Sequence, residues 1–168
     1  MAMKPCERVE LNFIETAPYR FVSTVDLTIT PEQLWEVLDD AESWPHWATV
    51  ITKVTWTSPE PHAVGTTRVV RMRGGIVGDE EYLAWEPHSH MAFRFNEASS
   101  GSIKAFAEDY RIKPTADGCH LTWVMAMQPN GAVARLGMSL GRPVISWLFQ
   151  KFLYNLREYS SRRFATQS

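Results

Sequence analysis

Cysteine is scarce in this 168-residue chain, and the two cysteines present, Cys6 and Cys119, lie far apart. They form neither a CxxC pair nor the dense pattern of a disulfide-stabilised secreted domain. A reducing compartment is therefore expected, and the predicted location is cytoplasmic.

Long apolar runs are absent as well. No stretch approaches the roughly 18 uncharged apolar residues that mark a transmembrane helix, and the N-terminus lacks an apolar segment of signal-peptide length. Neither membrane spanning nor secretion is expected. The length and the 45% hydrophobic content instead predict a single domain with one full core.

Sequence patterns for bound metals and nucleotides are also missing. HExxH and EF-hand motifs do not occur, and Gly74, Gly75 and Gly78 precede neither the Lys-Ser/Thr of a P-loop nor a helix. The histidines lie in separate segments or around a predicted turn: His46, His62, His88, His90 and His120. Neither a metal nor a cofactor is therefore predicted.

One apparent catalytic motif does not fit its context. Residues 137–141 read GMSLG, which matches the GxSxG nucleophile elbow of hydrolases. That elbow follows a strand and needs an acid and a histidine later in the chain. After Ser139 the chain has no histidine, and its one acidic residue is Glu158. The segment is expected to be a small-residue stretch where the chain enters the terminal helix.

The clearest positive signal is a long amphipathic helix predicted over about 142–163. Its apolar residues recur at three- and four-residue steps, at Ile145, Leu148, Phe149, Phe152, Leu156 and Tyr159. From Arg135 onward the chain has six basic residues and one Glu, leaving eleven basic and eighteen acidic residues before it. The favoured interpretation is that these cations complement the helix dipole, and a peripheral membrane contact ranks below it.

The segments before this helix alternate like strands. A strand is predicted over 19–29, then a helix ending at Asp39 that Thr30, Pro31 and Gln33 open with a capping box, and then a short helix or turn at 44–47. Six more strands are predicted, over 50–57, 66–73, 76–86, 91–96, 103–113 and 120–128. Their short connections favour an antiparallel α+β architecture, preceded by an N-terminal extension over 1–18 that is either an edge strand or a loose arm.

Over 19–163 the chain resembles the helix-grip proteins of the START/Bet v 1-like (SRPBCC) superfamily, in particular its polyketide cyclase/dehydrase-like group. The resemblance rests on TPEQLWEVLD at 30–39, WPxW at 44–47, WEP at 85–87, YxIxP at 110–114 and LTW at 121–123. It implies a curved seven-stranded antiparallel sheet wrapped around the C-terminal helix, with two short helices after the first strand. The single helix-grip domain would span 19–165 and enclose an apolar cavity.

Strand alternation then selects the residues that would face this cavity. Together with the helix stripe and one tryptophan of the WPxW segment, it predicts ligand contacts from Trp47, Tyr82, Phe93, Phe95, Phe106, Glu108, Tyr110, Trp123, Met125, Leu148, Phe152 and Leu156. The predicted partner is a hydrophobic small molecule. Nucleic acid is not a predicted partner, because the strand region is net acidic and the helix covers the apolar face of the sheet. Whether the chain forms a homodimer is left open.

Glu108 stands out, because its strand face is otherwise aromatic. Desolvation disfavours its charged form unless a cation or hydrogen bonds compensate. Arg68 and Arg71 are the candidate cations, and only one of them can face inward because they lie on opposite strand faces. There are two structural alternatives. A strand bulge could place Glu108 at a solvated rim, or a buried Arg–Glu pair could only hold the strands together.

Two main functions follow from these residues. The first is binding of a lipid-like or polyketide-like molecule for carriage, sequestration or sensing. The second is a polyketide cyclase/aromatase or dehydratase, with Glu108, Tyr110 and Glu80 as candidate acid or base groups. A third hypothesis is an accessory protein that contacts a membrane or partner through the basic helix.

Overall fold

The computed structural model describes residues 2–165. In this range the chain forms eight strands and four helices, in the order β1 (Lys4–Pro5), α1 (Phe13–Thr16), β2 (Tyr19–Leu27), α2 (Pro31–Asp39), α3 (Trp44–Trp47), β3 (Ile51–Trp56), β4 (Thr67–Met72), β5 (Val77–Glu86), β6 (His90–Ala98), β7 (Ile103–Thr115), β8 (Gly118–Pro129) and α4 (Ala132–Phe164). All six strands predicted after the short helices are present, with ends shifted by a few residues at most.

Seven strands form one antiparallel sheet in the order β2-β8-β7-β6-β5-β4-β3. Five of the six neighbouring pairs are consecutive in the chain; turns of two to four residues join four of them, and a ten-residue loop over 57–66 joins β3 to β4. The sixth pair joins β2 to β8, so β2 and β3 are the two edges of this order. The helices α2 and α3 connect these two edge strands along the chain. The curled sheet and the long C-terminal helix confirm the predicted α+β helix-grip architecture.

The start of α2 confirms the capping-box prediction. The Thr30 side chain accepts a hydrogen bond from the backbone N–H of Gln33, and the Gln33 side chain accepts one from the backbone N–H of Thr30. Pro31 occupies the first helical position, where a missing N–H is tolerated. These local contacts fix where the chain turns from the edge strand β2 across to the other edge.

The N-terminal extension packs on the outer face of the sheet. β1 pairs with the end of β6, and Phe13 and Ile14 of α1 lie in a small apolar cluster there. Arg94, also on this outer face, contacts Glu10 of the extension and Glu81 of β5. Residues 2–18 therefore combine a very short strand with a packed arm. The boundary drawn at residue 19 between extension and domain stays a prediction.

The prediction that the terminal helix starts near residue 142 is wrong. α4 begins at Ala132 and spans 33 residues, so the GMSLG segment and Pro143 lie inside it. Its first half rests against β2: Gln150 donates to the Thr24 carbonyl, and the hydroxyls of Tyr19 and Ser139 lie 2.7 Å apart. None of the residues 132–150 is buried. No helix within residues 2–165 is long and apolar enough to cross a membrane.

Candidate ligand-binding cavity

A cavity of about 190 Å³ lies between the concave face of the sheet, α3 and the second half of α4. An apolar cavity of about 150 Å³ is large enough to bind benzene. Most of the wall is aromatic or aliphatic, and it consists of Trp44, Trp47, Ala48, Val50, Ile51, Arg68, Val70, Met72, Glu80, Phe93, Phe95, Phe106, Glu108, Tyr110, Trp123, Met125, Phe149 and Phe152. The cavity is therefore an apolar space with three ionisable side chains apart from Tyr110.

Nine of the twelve predicted contact residues lie on this wall. They are Trp47, Phe93, Phe95, Phe106, Glu108, Tyr110, Trp123, Met125 and Phe152. Strand alternation brings seven of them together, because β6, β7 and β8 are adjacent and each turns one face inward. Their role in binding stays a prediction.

The other three predicted residues lie off the wall. Tyr82 is fully buried behind it, between Trp56, Trp85 and Phe93. Leu156 is fully buried in the core, and Leu148 packs at the side of α4 against that core. Strand alternation predicted Tyr82, and the helix stripe predicted Leu148 and Leu156. Neither pattern distinguishes the filled part of the core from the part that borders the cavity.

Several wall residues were missed as binding candidates. β4 contributes Val70 and Met72, and the start of β3 adds Val50 and Ile51. The inward face of β4 was left undecided. One face carries Arg68, Val70 and Met72, and the other carries Thr67, Val69 and Arg71. Phe149 was recognised as part of the helix stripe but was not assigned to the cavity.

Glu108 is tied into the wall through one carboxylate oxygen. Its Oε2 accepts a 2.6 Å hydrogen bond from the Tyr110 hydroxyl and a 2.9 Å hydrogen bond from Trp123 Nε1. Oε1 accepts no hydrogen bond from the residues that the structure describes. Because two donors already occupy Oε2, the proton of a neutral Glu108 would sit on Oε1. In that state the residue can donate a hydrogen bond to a molecule in the cavity.

Burial raises the pKa of Glu108 to about 7. The hydrogen bonds from Tyr110 and Trp123 oppose this rise, since they favour the charged form, and the charge of Glu80 adds to it. The carboxyl group is surrounded by protein yet keeps some accessible surface, because it borders the cavity. The side chain is therefore balanced near neutral pH between a hydrogen-bond donor and an anion.

Arg68 is the arginine that faces inward, and Arg71 is exposed. Its guanidinium carbon lies 4.2 Å from the ring centroid of Trp44 and 4.7 Å from that of Phe93. Its Nε donates to Glu80 Oε2 at 2.5 Å. Burial alone would lower the pKa of Arg68, but the charge of Glu80 raises it above its ordinary value, so the guanidinium stays protonated.

Glu80 is fully enclosed beside Arg68. Burial raises its pKa, and the neighbouring guanidinium opposes that rise. The buried Arg–Glu pair, one of the structural alternatives considered for Glu108, is thus formed by Glu80 instead. Glu108 does not share this ion pair and contacts neutral donors.

Three buried donors have no hydrogen-bond partner within residues 2–165. They are Trp47 Nε1, Arg68 Nη1 and the Tyr82 hydroxyl. A buried donor left unpaired costs about 1–3 kcal/mol. Trp47 and Arg68 belong to the cavity wall, but their unpaired donor atoms have almost no accessible surface. An acceptor oxygen in the cavity could pair with them after a small shift of these side chains.

The shape of the cavity also depends on a glycine. A Cβ on Gly78 of β5 would lie 2.6 Å from Cζ of Phe95, whose ring packs against that of Phe106 with centroids 4.2 Å apart. Real Cβ contacts are never this short, so any side chain at position 78 would displace the Phe95 ring. Gly78 therefore sets how far Phe95 projects into the cavity.

Comparison with known proteins agrees with this architecture. The model of a family described as "Polyketide cyclase / dehydrase and lipid transport" matches residues 18–161. An uncharacterized protein of Mycobacterium tuberculosis is 61% identical over 163 residues, which cover 97% of this chain and 97% of that protein.

Two solved structures share the fold at low sequence identity. The di-domain ARO/CYC StfQ from the steffimycin biosynthetic pathway has a TM-score of 0.70 at 11% identity, over 87% of this chain and 52% of that chain. Ara h 8.0201 has a TM-score of 0.57 at 11% identity, over 82% of this chain and 97% of that chain. The family model covers most of the sequence, and the fold agrees with it. The chain therefore belongs to the polyketide cyclase / dehydrase and lipid transport family, within the SRPBCC superfamily.

Proposed function

We propose that this protein binds a hydrophobic small molecule, lipid-like or polyketide-like, that carries at least one hydrogen-bond acceptor such as a carbonyl group. The molecule would be carried, sequestered or sensed. The observation that supports this most directly is the apolar cavity with unpaired donors of Trp47 and Arg68 in its wall. We place the protein in the cytoplasm, where the free thiols of Cys6 and Cys119 would stay reduced.

The apolar wall would supply most of the affinity of such a molecule. Burial of apolar surface contributes roughly 25 cal/mol per Å². The polar groups would contribute orientation, since a ligand that leaves a buried donor unpaired binds less well than one that pairs it. The side chains of Arg68 and Glu108 would therefore decide which acceptor-bearing molecules are preferred.

A cyclase/aromatase or dehydratase is the second candidate, and the environment of Glu108 is the observation that favours it. A carboxyl group with a pKa of about 7 can both give and take a proton near neutral pH. As a base, Glu108 would remove a proton from the carbon beside a ketone, and the resulting carbanion would attack a second carbonyl to close a ring. As an acid, it would then return that proton to the new alkoxide and so form a hydroxyl group. For loss of water, Glu108 would remove a second proton from the same carbon and deliver it to the hydroxyl, which leaves as water while a carbon–carbon double bond forms. Arg68 would stabilise the negative charge on oxygen.

A displacement titration tests the binding proposal. N-Phenyl-1-naphthylamine serves as the fluorescent reporter, and naphthalene and 2-acetylnaphthalene compete with it. We expect one site per chain and tighter binding of the ketone by about 5–10-fold, because its oxygen pairs with a buried donor. If naphthalene and 2-acetylnaphthalene bind with equal affinity, the site does not select for a hydrogen-bond acceptor and that part of the proposal is wrong. Absence of any binding would remove the cavity as a ligand site.

A further inference from the structure

The first half of α4 carries an apolar stripe that faces away from the protein. The stripe consists of Val133, Leu136, Leu140, Val144 and Trp147, whose exposed fractions lie between 61% and 87%. Successive members are three or four residues apart, so they form one row about 21 Å long on the helix surface. Single exposed apolar residues are common, but a continuous row of this length marks an interaction surface.

Contacts to the rest of the fold do not explain this outer stripe. The opposite side of the same helix packs against the core through Leu148 and Phe149 of the original amphipathic pattern. Arg142 lies over the Phe21 ring and donates to the Arg20 carbonyl, which ties the helix to β2. The inner face alone therefore holds α4 in place, and the outer stripe remains available for something outside the chain.

The charge of this segment indicates what that partner is. Residues 132–151 include three basic residues and no acidic residue. Arg142 is turned toward β2, Arg135 is exposed, and Lys151 lies beside the stripe. Lys151 follows the stripe by one turn, and its Nζ lies 5.3 Å from the Trp147 ring centroid. The sequence outside α4 has the opposite balance, with eleven basic and eighteen acidic residues.

We propose that this stripe is a docking surface for an anionic phospholipid membrane. A helix that lies in a membrane interface combines an exposed apolar face with lysine, arginine and tryptophan, which is the composition found here. Trp147 would sit at headgroup depth, and Lys151 would extend its ammonium group to the lipid phosphates. Each such cation near an anionic surface strengthens binding by about 5-fold.

A second copy of the chain is a poorer partner for the stripe. In a twofold-symmetric contact the same patch meets itself, so Lys151 of each copy would border the shared seam without an acidic partner on residues 132–151 of the other copy. A membrane with anionic lipids offers an apolar phase and the complementary charge together. Because Phe149 and Phe152 line the cavity from the other side of α4, docking would also bring the cavity close to the bilayer.

Vesicle co-sedimentation tests this proposal on the full chain without any added ligand. We expect binding to phosphatidylcholine vesicles that contain about 30% phosphatidylglycerol, and at least about 10-fold weaker binding to pure phosphatidylcholine. Raising NaCl from about 0.05 to 0.5 M should weaken the binding further. The Leu140→Gln/Trp147→Gln variant should lose at least about 10-fold in affinity. Val64→Gln, which removes an equally exposed apolar residue outside α4, should bind like the wild type.

Circular dichroism of all variants checks that they remain folded, and light scattering gives their mass in solution. Wild-type protein that ignores anionic vesicles, or a double variant that binds them as tightly as the wild type, would overturn the proposal. A wild-type dimer that the double variant converts to a monomer would overturn it as well, because the stripe would then join two copies. The result does not depend on whether the cavity binds a ligand, so this test is independent of the proposed function.

Discussion

Trp123 donates a 2.9 Å hydrogen bond to Glu108 across the pair of strands β7 and β8. Trp123 lies directly opposite Tyr110 in that pair, and Glu108 lies two residues before Tyr110 on the same face. The two aromatic donors thus meet on one oxygen of Glu108 and hold the carboxyl group in the cavity wall. This fixed orientation makes Glu108 the residue whose charge state can be tested most clearly.

The first prediction concerns Glu108→Gln, which keeps an acceptor for Tyr110 and Trp123 and removes the charge. Burial raises the pKa of Glu108 from 4.5 to about 7 in the folded protein. Between these values the unfolded chain has lost its proton while the folded chain keeps it, so the wild type loses stability as pH rises. We expect the variant to match the wild type near pH 4 and to be more stable by about 2–3 kcal/mol at pH 8.

Urea unfolding at several pH values measures this difference. Glu42→Gln, at an exposed position, controls for the general loss of a carboxylate. A stability gain that is the same at pH 4 and pH 8 would place Glu108 in a solvated environment. The cyclase hypothesis would then lose the residue that favours it.

A second prediction separates cavity wall from ordinary core by comparing two neighbours on α4. Phe152 lines the cavity, whereas Leu153 is fully buried elsewhere. Leu153→Ala should cost about 2–5 kcal/mol in unfolding free energy and leave the affinity for N-phenyl-1-naphthylamine unchanged. Phe152→Ala should enlarge the cavity, cost less than the about 3–5 kcal/mol of a fully packed Phe, and bind the probe more tightly.

Chemical unfolding and probe titration of both variants test this contrast. If Phe152→Ala costs as much stability as a packed core residue and leaves probe affinity unchanged, the space beside Phe152 does not receive the probe.

Gly78 gives a third prediction with the opposite sign. Gly78→Ala should push the Phe95 ring into the cavity, because the new Cβ would lie within 2.6 Å of it. Probe affinity should fall by about 10-fold or more, as expected when a preformed pocket is overfilled. Adding Phe95→Leu should restore part of that affinity. Gly137→Ala is the matched control, since its Cβ would meet no atom within 4 Å; a helical Gly→Ala change there should stabilise the protein by about 0.5–1 kcal/mol.

The fourth prediction concerns the buried ion pair. Arg68→Met leaves Glu80 without its partner and should destabilise the protein by about 3–5 kcal/mol. The Arg68→Met/Glu80→Leu double variant should recover most of this loss, because no unpaired charge remains. Arg71 lies on the same strand face as Val69 and is exposed. Arg71→Met should therefore change stability by less than about 0.5 kcal/mol.

Guanidinium unfolding of the three variants provides the comparison. A double variant as unstable as Arg68→Met would mean that the stacking of Arg68 on Trp44 and Phe93, and not the ion pair, dominates its contribution.

The sequence predicted those parts of the molecule that local rules determine. The capping box at Thr30 and Gln33 specifies the start of α2 without help from the rest of the chain, and strict alternation along β7 and β8 was sufficient to turn Glu108 and Trp123 inward. The fold class followed from the order of such elements and from the family resemblance.

Features that depend on tertiary structure were less accessible. Arg68 and Arg71 have neighbours of similar polarity on β4, so the inward arginine could be chosen only once the sheet was known. Tyr82 has inward strand parity and Leu156 lies on the apolar stripe of α4, but both are packed in the filled core and do not border the cavity. The early start of α4 was missed because Gly141 and Pro143 usually mark helix ends, whereas here they lie on an exposed helix held against β2.

Native mass spectrometry of the protein purified from its own host tests directly whether the cavity holds a hydrophobic molecule, because it requires no guess about the ligand. We expect one non-covalently bound molecule per chain. Extraction should identify it as a hydrophobic compound with at least one carbonyl or other acceptor oxygen. In the Gly78→Ala variant, whose cavity Phe95 would fill, the same species should be depleted. If the wild type shows only the mass of the polypeptide and does not take up N-phenyl-1-naphthylamine, the cavity does not bind a ligand. It would then be a packing defect.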